Sequence, residues 1–180
     1  VIRVPGSNGR EEEPIVILQG HMDMVCEKLG DSNHDFSKDP IRTRKEGEWL
    51  KADGTTLGAD NGIALAIAMH AATELSHPPL ELLFTVDEET GLTGARNLDT
   101  SLLSGRILIN LDSEDEGVVT IGCAGGRDAL VELPVREEGM PSGVEAFKLC
   151  VTGLTGGDSG VDIDRQLGNA NRVLARSLGE

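Results

Sequence analysis

The chain has 180 residues, with 16 lysines and arginines against 31 aspartates and glutamates, so its formal net charge is −15. A surface with this charge repels nucleic-acid phosphates and anionic lipid headgroups, which predicts that the chain binds neither nucleic acid nor membranes. No apolar run approaches the roughly 20 residues needed to cross a bilayer. Three scattered cysteines in no CxxC pattern indicate reduced thiols and predict a cytoplasmic protein.

The first two thirds of the chain alternate between strand and helix patterns. Residues 1–14 and 29–48 are polar and predict loops, whereas apolar runs at 15–18, 82–86 and 107–111 predict buried parallel strands. Helices are predicted at 59–77, with an apolar stripe of Ile63, Ile67 and residues 69–71, and within 91–103. This order predicts an α/β fold with a mostly parallel sheet in three layers, α/β/α.

After Asp112 the pattern changes. Residues 118–121, 129–135 and 146–151 predict strands with no helix between them, and residues 169–178 predict a last helix. Strands joined by glycine-rich or charged turns are typical of antiparallel pairing. The change predicts a domain boundary near residue 125.

Histidine and carboxylate side chains follow the ends of the predicted strands. His21 and Asp23 follow the first strand, residues 87–89 (Asp-Glu-Glu) follow the second, Asp112 follows the third, and Asp60 precedes the first helix. The carboxyl ends of parallel strands share one sheet edge, where ligands of open α/β sheets bind. These residue types predict a metal site at that edge. Each also has a structural alternative: a hydrogen-bonded histidine, a helix-capping Asp60, or a solvated acidic turn.

Three adjacent carboxylates repel one another unless a cation or a proton neutralises them. One of Glu88 and Glu89 is therefore expected to bind metal while its neighbour acts as a general base. The residue types alone do not indicate which of the two glutamates binds metal and which acts as the base.

Four sequence blocks carry a family resemblance. Residues 19–25, 57–62, 87–91 and 110–114 resemble the signature blocks of the co-catalytic dizinc exopeptidases, which include aminoacylases, desuccinylases and carnosinase-like dipeptidases. The amino-acid sequences of these blocks are most similar to those of bacterial dipeptidases that act on Xaa-His substrates. The resemblance implies a zinc-exopeptidase-like catalytic domain whose N-terminal part is residues 1–125. Residues 126–180 would supply further catalytic strands and the beginning of an α+β lid domain, of the type that forms homodimers.

The resemblance also implies a metal-ligand set. His21 and Asp112 would bind one metal ion, Asp60 would bridge two, and Glu89 would bind the second. One histidine with several carboxylates suits two divalent ions, with zinc preferred and manganese or cobalt as alternatives.

Three further residues receive roles from the resemblance. Glu88 would be the general base, and Asp23 would orient a neighbour in the metal site. Asp158, in Gly-Gly-Asp-Ser-Gly, stands at a substrate-contact position where the family has histidine, and its charge would repel an oxyanion. The family's last histidine ligand has no counterpart before Glu180, and the first residue is Val1. We therefore expect an internal fragment that has little activity by itself.

The leading functional hypothesis is a metallodipeptidase that hydrolyses small peptides of the Xaa-His type with broad specificity. Two alternatives remain open. One is a related amidohydrolase, such as a deacylase or desuccinylase, and the other is a truncated relative that binds metal without catalysis.

Overall fold

The computed structural model describes residues 1–113, 116–123, 125, 129–157 and 162–179. The chain divides into two compact units, residues 1–125 and 126–180. Assignment of the first unit to a catalytic domain and of the second to a lid remains a prediction. No helix within the described ranges is long and apolar enough to cross a membrane.

The first unit holds all six strands found in the described residues, together with two helices. In chain order these elements are β1 (Ile2–Val4), β2 (Val16–His21), β3 (Thr43–Glu46), β4 (Trp49–Ala52), α1 (Ala59–Glu74), β5 (Leu80–Thr85), α2 (Thr93–Arg96) and β6 (Ile107–Asn110). The second unit contains α3 (Ala170–Leu178), which Asn169 caps by accepting a hydrogen bond from the Arg172 N–H.

The main sheet has the strand order β1-β5-β2-β6. The strands β5, β2 and β6 are parallel, and β1 pairs antiparallel with β5. This arrangement confirms the predicted α/β class and mostly parallel sheet. The strands β1 and β3 lie in segments that were predicted as loops, and that prediction was wrong. The strand β3 pairs with β4 in a separate sheet. Its four residues are all polar, so its sequence carries no apolar alternation that would indicate a strand.

The core lies between the sheet and α1. Leu18, Leu80 and Leu82 pack against Ala68, which is 0% exposed, and Ala64 is equally buried. The predicted apolar stripe of α1 is wrong for Ile63, Ile67 and Met69, which are about half exposed, whereas Ala71 packs against the core. The buried residues of α1 are Asn61, Ala64 and Ala68, so small alanine side chains face the sheet.

Two further expectations about strands are wrong. The strand β6 was predicted to be buried, but it is the edge strand, and Ile107, Leu108 and Ile109 are about half exposed. The predicted strands at 118–121, 129–135 and 146–151 do not form anywhere in the described residues of those segments. Their apolar side chains are exposed, and a β-strand is stable only with a paired neighbour and a packed face.

Close contact between β2 and α1 depends on Gly20. A Cβ atom at this position would lie 2.7 Å from the Ala64 Cβ, and still closer to the Asn61 side chain. Gly30, by contrast, has nothing within 4 Å of a hypothetical Cβ. Glycine at position 20 is therefore required by packing.

We predict that Gly20→Ala lowers the free energy of unfolding of the intact protein by about 1–3 kcal/mol, because the added methyl group overpacks the helix–sheet contact. Urea denaturation measures the change. Gly30→Ala is the matched control and is expected to change stability by less than about 0.5 kcal/mol. Equal effects of the two variants would contradict the packing argument.

A buried carboxylate connects β5 to the loop before β6. Glu81 is 1% exposed and accepts hydrogen bonds from the backbone N–H groups of Ser104 and Gly105 at 2.9–3.0 Å. The Arg3 guanidinium lies 3.5 Å away. Burial by itself raises the pKa of Glu81, but the two backbone donors and Arg3 outweigh burial and lower it. The ionised form is therefore the one that the fold stabilises.

We predict that Glu81→Gln lowers the free energy of unfolding by about 1–3 kcal/mol at pH 7, because it removes charge-assisted hydrogen bonds in the interior. The folded pKa is depressed, so the contribution of Glu81 is present above the unfolded pKa of about 4.5 and is lost as the pH falls through the folded value. Denaturation at several pH values should show the difference between wild type and variant shrinking in acid. The exposed Glu74, as Glu74→Gln, is the control, and a difference that is constant with pH would refute the assignment.

Candidate metal centre

The site forms around His21, at the carboxyl end of β2. The imidazole is 1% exposed. Its Nδ1 lies 2.9 Å from the backbone carbonyl oxygen of Asp23, and its Nε2 lies 3.0 Å from Oδ1 of Asp60. A carbonyl oxygen can only accept a hydrogen bond, so Nδ1 carries a proton and donates it. The other nitrogen, Nε2, therefore faces the carboxylates.

Two aspartates from different elements face that nitrogen. Asp60 belongs to the first turn of α1, and Asp112, two residues beyond β6, has its Oδ1 3.6 Å from Nε2 of His21. The ligand atoms of these three residues lie within 4.8 Å of one another. The backbone of Asp60 is extended rather than helical (φ −83°, ψ 107°), and its side chain lies against the imidazole of His21.

The two glutamates follow β5 in a tight turn. Asp87 adopts a positive φ of 54°, and a backbone hydrogen bond joins Gly91 to Glu88. Ligand atoms of Glu88, Glu89 and His21 also lie within 4.8 Å of one another. The imidazole thus belongs to two overlapping groups of possible metal ligands, which together contain four carboxylates.

Asp23 holds this turn against the end of β2. Its Oδ2 accepts a hydrogen bond from the Glu89 N–H at 3.1 Å. Burial raises the pKa of Asp23, but backbone donors from Glu88 and Glu89 outweigh burial and lower it. Its Oδ1 is buried 3.4 Å from Nδ1 of His21 and has no hydrogen-bond partner in the described part of the chain. Asp23 therefore stays ionised behind the imidazole.

Burial and neighbouring charges shift the pKa values of two residues in the cluster. Burial lowers the pKa of His21, but the hydrogen bond to Asp60 and the charges of Asp112 and Asp60 outweigh it and raise the pKa. Burial is the largest influence on Glu88 and raises its pKa; the His21 charge lowers it, and the charges of Asp112, Glu89 and Asp60 raise it again. Neighbouring carboxylates therefore favour the protonated form of both groups, and burial adds to this effect at Glu88.

Divalent cations fit this donor set. Nε2 of His21 and the carboxylate oxygens of Asp60, Asp112 and Glu89 are ligand atoms that zinc accepts. The Nδ1–H contact to a carbonyl oxygen is the type of outer contact that orients metal-binding histidines. The residues present therefore suit a metal ion, because a histidine nitrogen and several carboxylate oxygens lie within reach of one another.

A cavity of about 300 Å³ lies beside the cluster. Glu88 and Asp112 line it together with Gln19, Thr85 and Asn110, and apolar side chains of β5, β6 and the α2 region complete its walls. The cavity offers space for a small group next to the candidate base. A larger cavity of about 540 Å³, around residues 27–29 and 52–56, contains none of the clustered residues.

The structure brings six of the seven predicted site residues together: His21, Asp23, Asp60, Glu88, Glu89 and Asp112. The seventh, Asp158, lies outside the described residues. His34, His70 and His77 belong to neither ligand group among the described residues. Asn61 was not predicted as a site residue, yet it is 3% exposed and its side chain is hydrogen-bonded to the backbone at the ends of two strands. The one sequence feature that could have indicated Asn61 is its amide side chain directly after Asp60, in a segment with glycines on both sides.

Comparison with known proteins identifies a family and several relatives. A model of Peptidase family M20/M25/M40 matches residues 17–175. The chain is 50% identical over 180 residues to the cytosol non-specific dipeptidase of Escherichia coli (strain K12), covering 99% of this chain and 37% of that protein. It is 31% identical over 146 residues to the uncharacterized protein YqjE of Bacillus subtilis (strain 168), covering 78% of this chain and 36% of that protein.

Among solved structures, the aminoacylhistidine dipeptidase of Vibrio alginolyticus matches with a TM-score of 0.65 and 42% identity, covering 98% of this chain and 36% of that one. The chain thus spans little more than a third of the length of these relatives.

Proposed function

We propose that this chain, which belongs to peptidase family M20/M25/M40, supplies metal-binding and acid–base residues of a dipeptidase. The observation that carries the proposal is the convergence of one buried imidazole and four carboxylates at a single sheet edge. The family is metal-dependent, and the chain carries candidate metal-binding residues. The names of two relatives, a cytosol non-specific dipeptidase and an aminoacylhistidine dipeptidase, support dipeptides as substrates.

Four residues would hold two divalent ions in this proposal. His21 and Asp112 would bind the first ion, Asp60 would bridge both, and Glu89 would bind the second. Oδ1 of Asp60 lies 3.0 Å from Nε2 of His21. This position supports Asp60 as the carboxylate that the two ions would share. Zinc is the preferred ion for this donor set, with manganese and cobalt as alternatives.

Bound divalent ions would serve as Lewis acids that acidify water and polarise the peptide carbonyl. Glu88 would accept a proton from the attacking water as the new C–O bond forms. The same carboxyl group would then donate the proton to the leaving amine as the C–N bond breaks. The position of Glu88 supports this role, because its carboxylate lies beside the candidate metal ligands and lines the adjacent cavity, within reach of a water bound there. Asp23 would hold the imidazole and the glutamate turn in place.

Substrate range and cellular setting are further parts of the proposal. Small peptides of the Xaa-His type, cleaved with broad specificity, are the proposed substrates. The word cytosol in the name of one relative supports a cytoplasmic location. A homodimeric intact protein and a substrate contact by Asp158 remain predictions. A panel of dipeptides and N-acyl amino acids tests the assignment, since preferential cleavage of the acyl compounds would favour an amidohydrolase.

We predict that Glu88→Gln in the intact protein lowers kcat by about 10²–10⁴-fold, because it removes the proton acceptor, and keeps the metal content of the wild type. Dipeptide hydrolysis and elemental analysis measure the two quantities. Glu89→Gln is the contrasting variant and is expected to lose metal as well as activity. Loss of metal in Glu88→Gln instead would mean that the two glutamates have the opposite roles.

We predict that Asp60→Ala weakens the binding of both ions together, because a shared carboxylate is lost and the repulsion between the cations is less screened. Calorimetric titration with zinc measures both affinities. Asp99→Ala is the matched control, since Asp99 caps a short helical turn by accepting from the Ser101 N–H. It should lower stability and leave zinc binding unchanged. One unaffected zinc site in Asp60→Ala would rule out a bridge.

A further inference from the structure

The strands β2 and β6 part at the candidate metal centre. Their parallel pairing runs from Val16 with Ile107 to Gln19 with Asn110 and ends there. The last hydrogen bond of this ladder is donated by the Leu111 N–H to the Gln19 carbonyl oxygen at 2.9 Å. On its other side β2 stays paired with β5 as far as His21 and Thr85. The separation therefore occurs only between β2 and β6, one residue before Asp112.

A side-chain amide occupies the next position of the ladder. Evenly spaced bonds of a parallel ladder would continue from the His21 N–H to the Leu111 carbonyl oxygen. Instead, the His21 N–H donates to Oδ1 of Asn61 at 3.2 Å, and Nδ2 of Asn61 donates to the Leu111 carbonyl oxygen at 3.1 Å. One carboxamide thus takes the place of one backbone hydrogen bond.

The surroundings hold this amide in a single orientation. The side chain is 3% exposed, and turning it over would set its NH2 group against the His21 N–H. Gly20 leaves room for it, because any Cβ atom at that position would collide with Oδ1 of Asn61. Both ends of the amide are therefore used, and both partners are backbone groups of strand ends.

We propose that Asn61 is a positioning residue that sets the separation of His21 from Asp112 and so the width of the metal centre. The amide joins the backbone of His21 itself to that of Leu111, the neighbour of Asp112. A direct backbone bond would draw the two strand ends together by about the length of the inserted amide. The distance of 3.6 Å between Nε2 of His21 and Oδ1 of Asp112 depends on this spacing.

The inference rests on the proposed function, because it assigns Asn61 a role toward a bound divalent ion. The experiment uses the intact protein loaded with Co²⁺, whose visible absorption spectrum responds to ligand geometry. Asn61→Ala makes room for the direct backbone bond, whereas Asn61→Leu fills the same space without polar atoms. We expect both variants to bind Co²⁺ about 10–100-fold more weakly, the usual effect of losing an outer contact to a metal ligand, and to have altered spectra.

Glu81→Gln is the matched control, because it removes a buried polar contact at the other end of β5. It should reduce thermal stability and keep the Co²⁺ spectrum and affinity of the wild type. If Asn61→Ala does not fold, Asn61→Leu supplies the same readouts. Spectra and affinities of the Asn61 variants within about threefold of the wild type would overturn the inference and leave the proposed function standing. A wild-type protein that takes up no divalent ion would overturn the proposed function itself, and the inference with it.

Discussion

A buried imidazole among carboxylates is the interaction on which the rest of this site depends. His21 has almost no exposed surface, and Asp60 and Asp112 lie within 3.6 Å of its Nε2. Carboxylates at such separations repel one another unless positive charge lies between them. The hydrogen bond to Asp60 and the nearby charges of Asp112 and Asp60 raise the pKa of His21 against the effect of burial, and burial together with neighbouring carboxylates raises the pKa of Glu88. A divalent cation would remove the repulsion between the carboxylates more completely than a proton, since it provides two charges and several coordination positions.

The fold supports this charge cluster by separating it from the most tightly packed region. Alanine methyl groups of α1 pack on β2 and β5, and Gly20 permits their close approach. At the start of β5, the Glu81 carboxylate receives backbone hydrogen bonds from the loop before β6. These contacts fix the positions of β2 and β5 away from their carboxyl ends. Ligands placed on rigid strand ends keep their geometry better than ligands on loops.

Asn61 connects this scaffold to the chemistry. Ligand sites in open α/β sheets lie in the crevice outside the carboxyl ends of the strands. Here the crevice lies between β2 and β6, where a carboxamide replaces a backbone hydrogen bond. The residue is adjacent to Asp60 in sequence, so the first turn of α1 contributes both a candidate ligand and the spacer that separates two others.

The sequence by itself determined the α/β class, the parallel strands at β2, β5 and β6, and the collection of His21, Asp23, Asp60, Glu88, Glu89 and Asp112 at one edge. It could do so because parallel strands end at the same edge, so residues that follow the strands in sequence meet in space. Only the tertiary structure decided which face of α1 is buried, that β6 is an exposed edge, and that the apolar segments after Asp112 lack strand pairing in the described residues. It also revealed Asn61, whose partners lie 40 and 50 residues away. Periodicity reports the local environment of a segment, whereas these features depend on distances between segments that are remote along the chain.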